Sequence, residues 1–156
     1  MDNIWQYDYQ RPLGKIDDNK ELRNAFIEIS DTKTKTDLVR FGLIYGGHLI
    51  DIANVRCERV QEAFDTMQEW LDGKTSYHKA RNIVFSDLWK AAQSENDLIR
   101  ERFYKTMAQI ACIPHVKFHA LWASDFAITL INKMHPSNIN EVRNERETQI
   151  KTVKNL

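Results

Sequence analysis

The sequence predicts an all-α protein, built as a single-domain bundle or orthogonal array of about six or seven helices. Apolar residues recur at steps of three and four through most of the chain, and no segment alternates apolar and polar residues between hairpin turn signals. No proline occurs between Pro12 and Pro114. The most apolar stretch, residues 110–134, predicts a buried penultimate helix around which the other helices pack.

Residues 1–16 differ in composition from the rest of the chain, because they combine three aromatic side chains with Pro12 and Gly14. This pattern predicts an N-terminal arm that lays aromatic side chains on the surface of the domain, with a disordered leader as the alternative. Residues 17–156 then form the single all-α domain.

Capping residues and polar breaks predict the first and third helices. Asp17 or Asp18 is expected to cap the first helix, and the polar run at residues 30–36 ends it. The third helix is expected over residues 54–71, where Gly73 provides a left-handed stop.

The second helix is predicted to begin at Thr36 and to contain Gly42, Gly46 and Gly47. Each glycine costs about 1 kcal/mol relative to alanine in a helix interior. Three glycines so close together predict a close helix crossing, a kink, or a break near Gly47. His48 follows directly.

The predicted fourth helix starts at Thr75 or Ser76, and Ser94 is expected to cap the fifth. The central helix is expected to carry Pro114 in its first turn, where the missing N–H has no partner to lose. Pro136 closes the far end, because proline cannot continue a helix.

The last helix is expected to be amphipathic, with Asn138 or Asn140 as its cap. Glu145, Arg146 and Gln149 lie close together on it, and Arg146 falls on the apolar side. We expect this group to pair with polar groups in the bundle interior, with a functional site as the alternative.

The charge balance argues against nucleic acid and membranes as partners, with a local basic patch left as the alternative. The 22 Lys and Arg residues equal the 22 Asp and Glu residues, so no net field draws the molecule to nucleic acid or to an anionic membrane.

Cys57 and Cys112 are too few for a disulfide framework and are expected to be buried thiols. No stretch approaches the roughly 18 apolar residues of a membrane span, and no signal-peptide core is present, so we expect a soluble, cytoplasmic protein.

Complete catalytic motifs are absent, which predicts that the protein is not an enzyme. The sequence has no Glu-x-x-His or His-Glu-x-x-His metal motif, no Walker loop, no nucleophile elbow and no Cys-x-x-Cys. One incomplete constellation remains, because His48, His115, His119 and Asp125 would converge if the second and sixth helices packed together. A metal, if any, would be held by the three histidines. Satisfied core histidines or a polar binding pocket are the alternatives.

The order of the helical segments resembles that of a known bacterial family. The run ERVQEAFDTMQEWLDGK, the segment PHVKFHALWASDFAITLINK and a terminal helix with ER-x-x-QI are similar to the immunity proteins of the immunity-protein-five-like family. The resemblance extends from about residue 38 to residue 151. The matching positions are Trp70, Leu71, Gly73, His115, Val116, His119, Ala120, Leu121, Glu145, Arg146 and Gln149.

The resemblance implies a protein that neutralises a bacterial toxin by stoichiometric binding, without turnover and without a cofactor. Its partner would be the cognate protein toxin, and a homodimer is a further expectation. Trp122 and Arg146 join the histidines and Asp125 as binding candidates, because aromatic and arginine side chains anchor protein interfaces. Two other hypotheses stay open: a metal-dependent hydrolase that uses the histidines, and a small-ligand-binding helical module with residues 46–48 lining its pocket.

Overall fold

The computed structural model describes residues 5–156, and for residues 79, 80 and 83–85 it describes only the backbone. The chain forms one predominantly all-α domain, which confirms the predicted fold class. None of the helices in this part of the chain has the length and apolar composition needed to cross a bilayer. The elements in chain order are β1 (Gln6–Tyr9), β2 (Gly14–Asp17), α1 (Lys20–Asp31), α2 (Lys35–Ala53), α3 (Glu58–Leu71), α4 (Tyr77–Ile83), a π-helical turn (Val84–Leu88), α5 (Trp89–Gln93), α6 (Leu98–Ala111), α7 (His119–Met134) and α8 (Ile139–Lys154).

Helix α7 is the buried centre of the domain, as predicted. All of its side chains from Ala123 to Ile131 are buried, and the helix packs against α6, α8, α2 and β2. A helix with neighbours on several sides needs apolar residues around most of its circumference, and this accounts for the composition of the stretch.

The start of α7 corrects the prediction, since the helix begins at His119 and not near Pro114. Residues 112–118 form a series of turns, in which the carbonyl oxygen of Cys112 accepts a hydrogen bond from the N–H of His115. Helices α6 and α7 pack against each other, so the chain needs this connection to reverse direction between them. His115 therefore lies in the connection and not on the helix that carries His119.

Helix α2 runs without a break through its three glycines. A Cβ atom added at Gly46 would overlap the ring of Phe64 on α3, and one added at Gly42 would lie 2.9 Å from Cδ1 of Ile113. These two glycines therefore permit close packing, which was one of the predicted outcomes. Gly47 differs, because a Cβ atom there would meet nothing within 4 Å.

Helix caps confirm some predicted boundaries and shift others. Gly73, with a φ of +73°, ends α3, and Asn138 caps α8, both as predicted. The cap of α2 is Thr34 and that of α6 is Asp97, each a few residues from its predicted position. Several polar residues compete for each cap, so local sequence fixes a helix start only approximately.

The N-terminal arm contains a β-hairpin, which the sequence patterns did not predict. Strands β1 and β2 pair antiparallel, with Tyr7 opposite Ile16. Each strand has 4 residues, too few for alternation to be distinguished from a loop. Ile16 is buried in a small second core with Ile128 of α7 and Val142 of α8, which anchors the hairpin to the domain. Residues 1–4 of the predicted arm lie outside the described residues.

Candidate functional site

The centre of the candidate site is Arg146 of α8, which is fully buried. Its Nε and Nη2 atoms donate to the two carboxylate oxygens of Asp18 at 2.8 and 2.7 Å, and Nη2 also donates to Asp125 at 2.7 Å. Nη1 donates to Gln149 at 2.9 Å and to the Ser124 hydroxyl at 3.2 Å. The planar guanidinium group reaches all four partners in a fork geometry that a lysine could not reproduce.

A second arginine completes the charge pairing in this cluster. Arg23 of α1 donates from Nε and Nη2 to both oxygens of Asp125, each at 2.9 Å. The Tyr9 hydroxyl donates to Asp18 at 2.8 Å. Two carboxylates and two guanidinium groups are therefore paired in one cluster. An unpaired buried charge costs several kcal/mol, and this pairing is what allows Arg146 to be buried.

A chain of hydrogen bonds through the Gln149 amide and the Tyr45 phenol connects this cluster to the protein surface. Gln149 donates from Nε2 to the Tyr45 hydroxyl at 2.9 Å, and that hydroxyl donates to Glu145. Glu145 lies 3.1 Å from Nε2 of His48, whose side chain is 32% exposed. The hydrogen bonds thus run in one direction, from the buried Arg146 to a carboxylate that meets a partly exposed histidine.

The geometry of the network explains how pKa values shift within it. The hydrogen bond with Glu145 raises the pKa of His48 against the opposing effect of partial burial, and the charges of Glu145 and Asp51 raise it further. Burial raises the pKa of Tyr45, and Glu145 adds to that effect. Burial alone would lower the pKa of Arg146, but its carboxylate partners raise it. At neutral pH Tyr45 is therefore a neutral donor and Arg146 a permanent cation.

The network joins parts of the chain that are distant in sequence. Asp18 follows β2 and Asp125 lies on α7, and both accept hydrogen bonds from Arg146 on α8. Arg23 on α1 joins them through its own pairing with Asp125. Asn132 of α7 adds a two-way amide contact to the backbone of Asp17, at 2.9 and 3.0 Å. The arrangement fixes the hairpin and α1 against α7 and α8.

The structure brings two of the three predicted histidines together and places the third elsewhere. His48 lies beside Glu145, where α2 meets α8. His115 and His119 belong to a separate aromatic cluster, in which the ring centroids of Tyr77 and His115 are 4.8 Å apart and those of the two histidines are 6.2 Å apart. His115 and His119 thus remain neighbours. The expected convergence fails because His48 pairs with Glu145 and Asp125 pairs with the two arginines.

His119 has a hydrogen-bond partner of its own. Its Nδ1 atom lies 2.8 Å from Oε1 of Gln109 on α6. Burial lowers the pKa of His119, and the neighbouring His115 lowers it further, so the ring is neutral and links α6 to α7. Among the side chains that the structure describes, no three His, Cys, Asp or Glu residues are arranged to hold a metal ion. The metal hypothesis therefore lacks the geometry that it required.

The two cysteines are free thiols in different environments. Cys112 is buried, and burial raises its pKa to about 11, so it is an unreactive thiol at neutral pH. Cys57 is only partly buried, which corrects the expectation that both would be buried.

Two neighbouring grooves meet at Phe118, in the connection before α7. The hairpin groove has a volume of about 260 Å³, and its walls include Tyr9, Arg11, Arg23, Phe118, Leu121 and Trp122. The α1 groove has a volume of about 270 Å³, and its walls include Ile27, Asp31, Leu38, Lys117, Phe118 and Leu121. Trp122, a predicted binding candidate, thus lies in a groove wall, where its ring is 6.1 Å from that of Phe118.

Sequence reasoning named Gln149 and Asp125 but missed Asp18 as a partner of Arg146. Asp17 or Asp18 was expected to cap α1, but Asn19 caps that helix and leaves the Asp18 carboxylate available to Arg146. Arg23 and Tyr45 carried no recognisable signal. The one available signal was the position of Arg146 on the apolar side of an amphipathic helix, which indicates a buried cation that needs a carboxylate. It could not indicate which carboxylate.

The fold and the site together define the class of protein. It is an all-α domain in which the buried charged side chains around Arg146 pair with one another, and its surface carries partly apolar grooves. The model of the Imm-5 like putative immunity protein family matches residues 28–156, and the chain belongs to this family. Comparisons with curated proteins and with solved structures gave no match. The matched region includes Asp125 and Arg146, whereas the hairpin, Asp18 and Arg23 precede it.

Proposed function

We propose that this chain is a cytoplasmic immunity protein that neutralises a cognate bacterial toxin by stoichiometric binding, without turnover. The observation that carries this proposal is the family match over residues 28–156, which includes most of the helical domain. The description of this family as immunity proteins supports a protein toxin as the class of the proposed partner.

The accessible surface supports binding in preference to chemistry. Phe118 and Val116 are 55% and 43% exposed, and both lie in the connection before α7. Large exposed apolar side chains that lie close together are typical of interaction surfaces. In contrast, Asp18, Asp125 and Arg146 are almost inaccessible and are paired with one another. These three side chains offer no accessible group to a substrate.

The segment that the small-ligand hypothesis placed in a pocket wall does not line any of the main grooves in the described part of the chain. The hairpin groove and the α1 groove hold about 260 and 270 Å³, and a third groove beside Ile44 holds about 340 Å³, at the lower end of the roughly 300–1,000 Å³ of typical small-molecule pockets. At the predicted pocket wall, residues 46–48, Phe64 covers Gly46 and Gly47 faces open space. That segment forms a packed helix crossing on one side and an open surface on the other.

A contact-competition experiment tests the proposal and does not require the toxin to be identified first. The gene is deleted in the source organism, and the deletion strain is grown in contact with its parent. We expect the deletion strain to be killed and a plasmid copy of the gene to restore survival. Equal survival of the deletion strain and the parent, under conditions in which the parent kills an unrelated strain, would contradict the proposal.

A further inference from the structure

We propose that the hairpin groove and the adjoining Phe118 ring are the surface that docks an acidic segment of the toxin. A carboxylate of the toxin would enter the groove and pair with Arg11 and Arg23, while an apolar side chain of the toxin covers Phe118. This inference rests on the proposed function, because it gives that function a surface and a partner chemistry.

The apolar part of this surface has the composition of an interface centre. Phe118 lines both grooves, and it is still 55% exposed. Leu121 forms part of both grooves, and Trp122 packs edge-on against Phe118. Aromatic side chains in such positions supply much of the binding energy of protein interfaces. A groove of about 260 Å³ has room for a side chain of the partner and little more.

Among the residues that the structure describes, the accessible charges that line the hairpin groove, those of Arg11 and Arg23, are both positive. Arg11 is exposed, and the side chain of Arg23 is 19% exposed and lies over the Tyr9 ring at 4.5 Å. The carboxylate among the groove-lining residues is Asp125, which is 2% exposed and paired with Arg23 and Arg146. A carboxylate entering the groove therefore meets positive potential, whereas a lysine or arginine would be repelled.

The groove is held in shape before any partner arrives. Both oxygens of Asp125 hold Arg23 in place, and Asp18 connects the Tyr9 hydroxyl to the buried Arg146. A rigid groove loses little conformational entropy on binding, which favours tight association.

The hairpin groove combines residues inside and outside the region that matches the family, which suits a surface that selects one toxin from others. Phe118, Leu121 and Trp122 lie within the matched residues 28–156, whereas Tyr9, Arg11 and Arg23 precede them. A surface that selects one toxin from others needs both an attractive anchor and groups that reject the wrong partner. The Phe118 ring supplies the anchor, and the arginines reject basic segments.

Complementation of the deletion strain tests this surface with matched controls. The test variants are Phe118→Asp, which places a charge at the anchor, and Arg11→Glu, which reverses the charge of the groove. Ile44→Asp is the apolar control, because Ile44 is 60% exposed and lines a different groove with Leu71. Arg56→Glu is the charge control, because the Arg56 side chain is 74% exposed and pairs weakly with Asp51 at 3.7 Å.

We expect Phe118→Asp and Arg11→Glu each to weaken protection about tenfold or more, while both controls protect like the wild type. Circular dichroism and thermal unfolding confirm that every variant is folded. Phe118→Ala and Arg11→Gln replace any variant that is not. If the wild-type gene itself fails to restore survival, the proposed function falls and takes this inference with it.

Three outcomes overturn the docking surface alone. Full protection by Phe118→Asp shows that the toxin binds elsewhere. Full protection by Arg11→Glu together with loss in Phe118→Asp shows that the occupant is not acidic. Light scattering that finds a wild-type dimer and a monomeric Phe118→Asp variant shows that a second copy of this chain occupies the surface.

Discussion

At the scale of single residues, the stability of this protein depends on how Arg146 is paired. The side chain is 0% exposed and lies between Asp18 and Asp125, which belong to different parts of the fold. A buried ion pair contributes little compared with an apolar pair of the same shape, but removing one partner leaves an uncompensated charge. Arg146 therefore contributes little net stability as an ion pair, but it is needed to neutralise the buried carboxylates of Asp18 and Asp125.

Replacing Arg146 with methionine is expected to lower the free energy of unfolding by about 3–5 kcal/mol, because Asp18 loses its charge partner in a buried site. Urea unfolding followed by circular dichroism measures the change. Arg143→Met is the matched control on the same helix, since Arg143 is exposed, and it should change stability by about 0.5 kcal/mol or less. Equal effects of the two substitutions would contradict the assigned role of Arg146.

His48 is expected to titrate above the ordinary histidine pKa of about 6.5, because Glu145 accepts a hydrogen bond from its ring. Its contribution to stability is therefore complete below about pH 6.5 and is lost as the pH rises through the folded-state pKa. NMR titration of the ring protons measures the pKa, and Glu145→Gln should lower it. His119 is an internal control, because its pKa is shifted downward. A His48 pKa below that of His119 would contradict the account.

Residue positions were predictable from the sequence where the signal was local. The place of Arg146 on an apolar helix side, with Glu145 and Gln149 beside it, correctly predicted pairing with the interior. Its partner Asp18 lies 128 positions away, and no local pattern can select one carboxylate among many at that separation. The histidine constellation failed for the same reason, because His48 meets Glu145, which lies 97 positions away, and no local pattern indicated this pairing.

At the scale of elements, two adjacent glycines of α2 have different surroundings. Gly46 permits close approach of α3, where Phe64 occupies the space of a Cβ atom, whereas Gly47 has open space above it. The energetic consequence of adding a methyl group should therefore be opposite at two adjacent positions of one helix.

Gly47→Ala is expected to stabilise the protein by about 0.4–1 kcal/mol, because alanine restricts the unfolded chain and favours the helix. Gly46→Ala is expected to destabilise it by about 1–3 kcal/mol, because Phe64 must move to admit the methyl group. Thermal unfolding of the two variants should shift the midpoint in opposite directions. Midpoint shifts of the same sign would show that the packing of α2 against α3 differs from that described.

Elements were predictable where their end signals were strong. Gly73 and Asn138 gave correct boundaries for α3 and α8 because each provides a backbone or side-chain partner within the helix end itself. The hairpin escaped prediction because its strands are short and gain their stability from tertiary burial of Ile16. Pro114 fits a first helical turn and a tight connection equally well, and only packing against α6 decides between them.

At the scale of the whole molecule, the balanced charge means that binding depends on local surfaces and not on a long-range field. The buried network holds the hairpin and four helices in one rigid arrangement, and the accessible apolar residues are left on the outside. This arrangement is compatible with the proposed neutralisation, in which the protein binds its partner by shape.

Titration of toxin activity tests stoichiometric neutralisation most directly. The tagged protein is recovered from cells under attack, the captured toxin is purified, and its activity is measured against increasing amounts of this 18.4 kDa protein. Binding without turnover predicts a linear loss of activity that ends at one equivalent. Complete and progressive inactivation by a small fraction of an equivalent would show turnover and contradict the account.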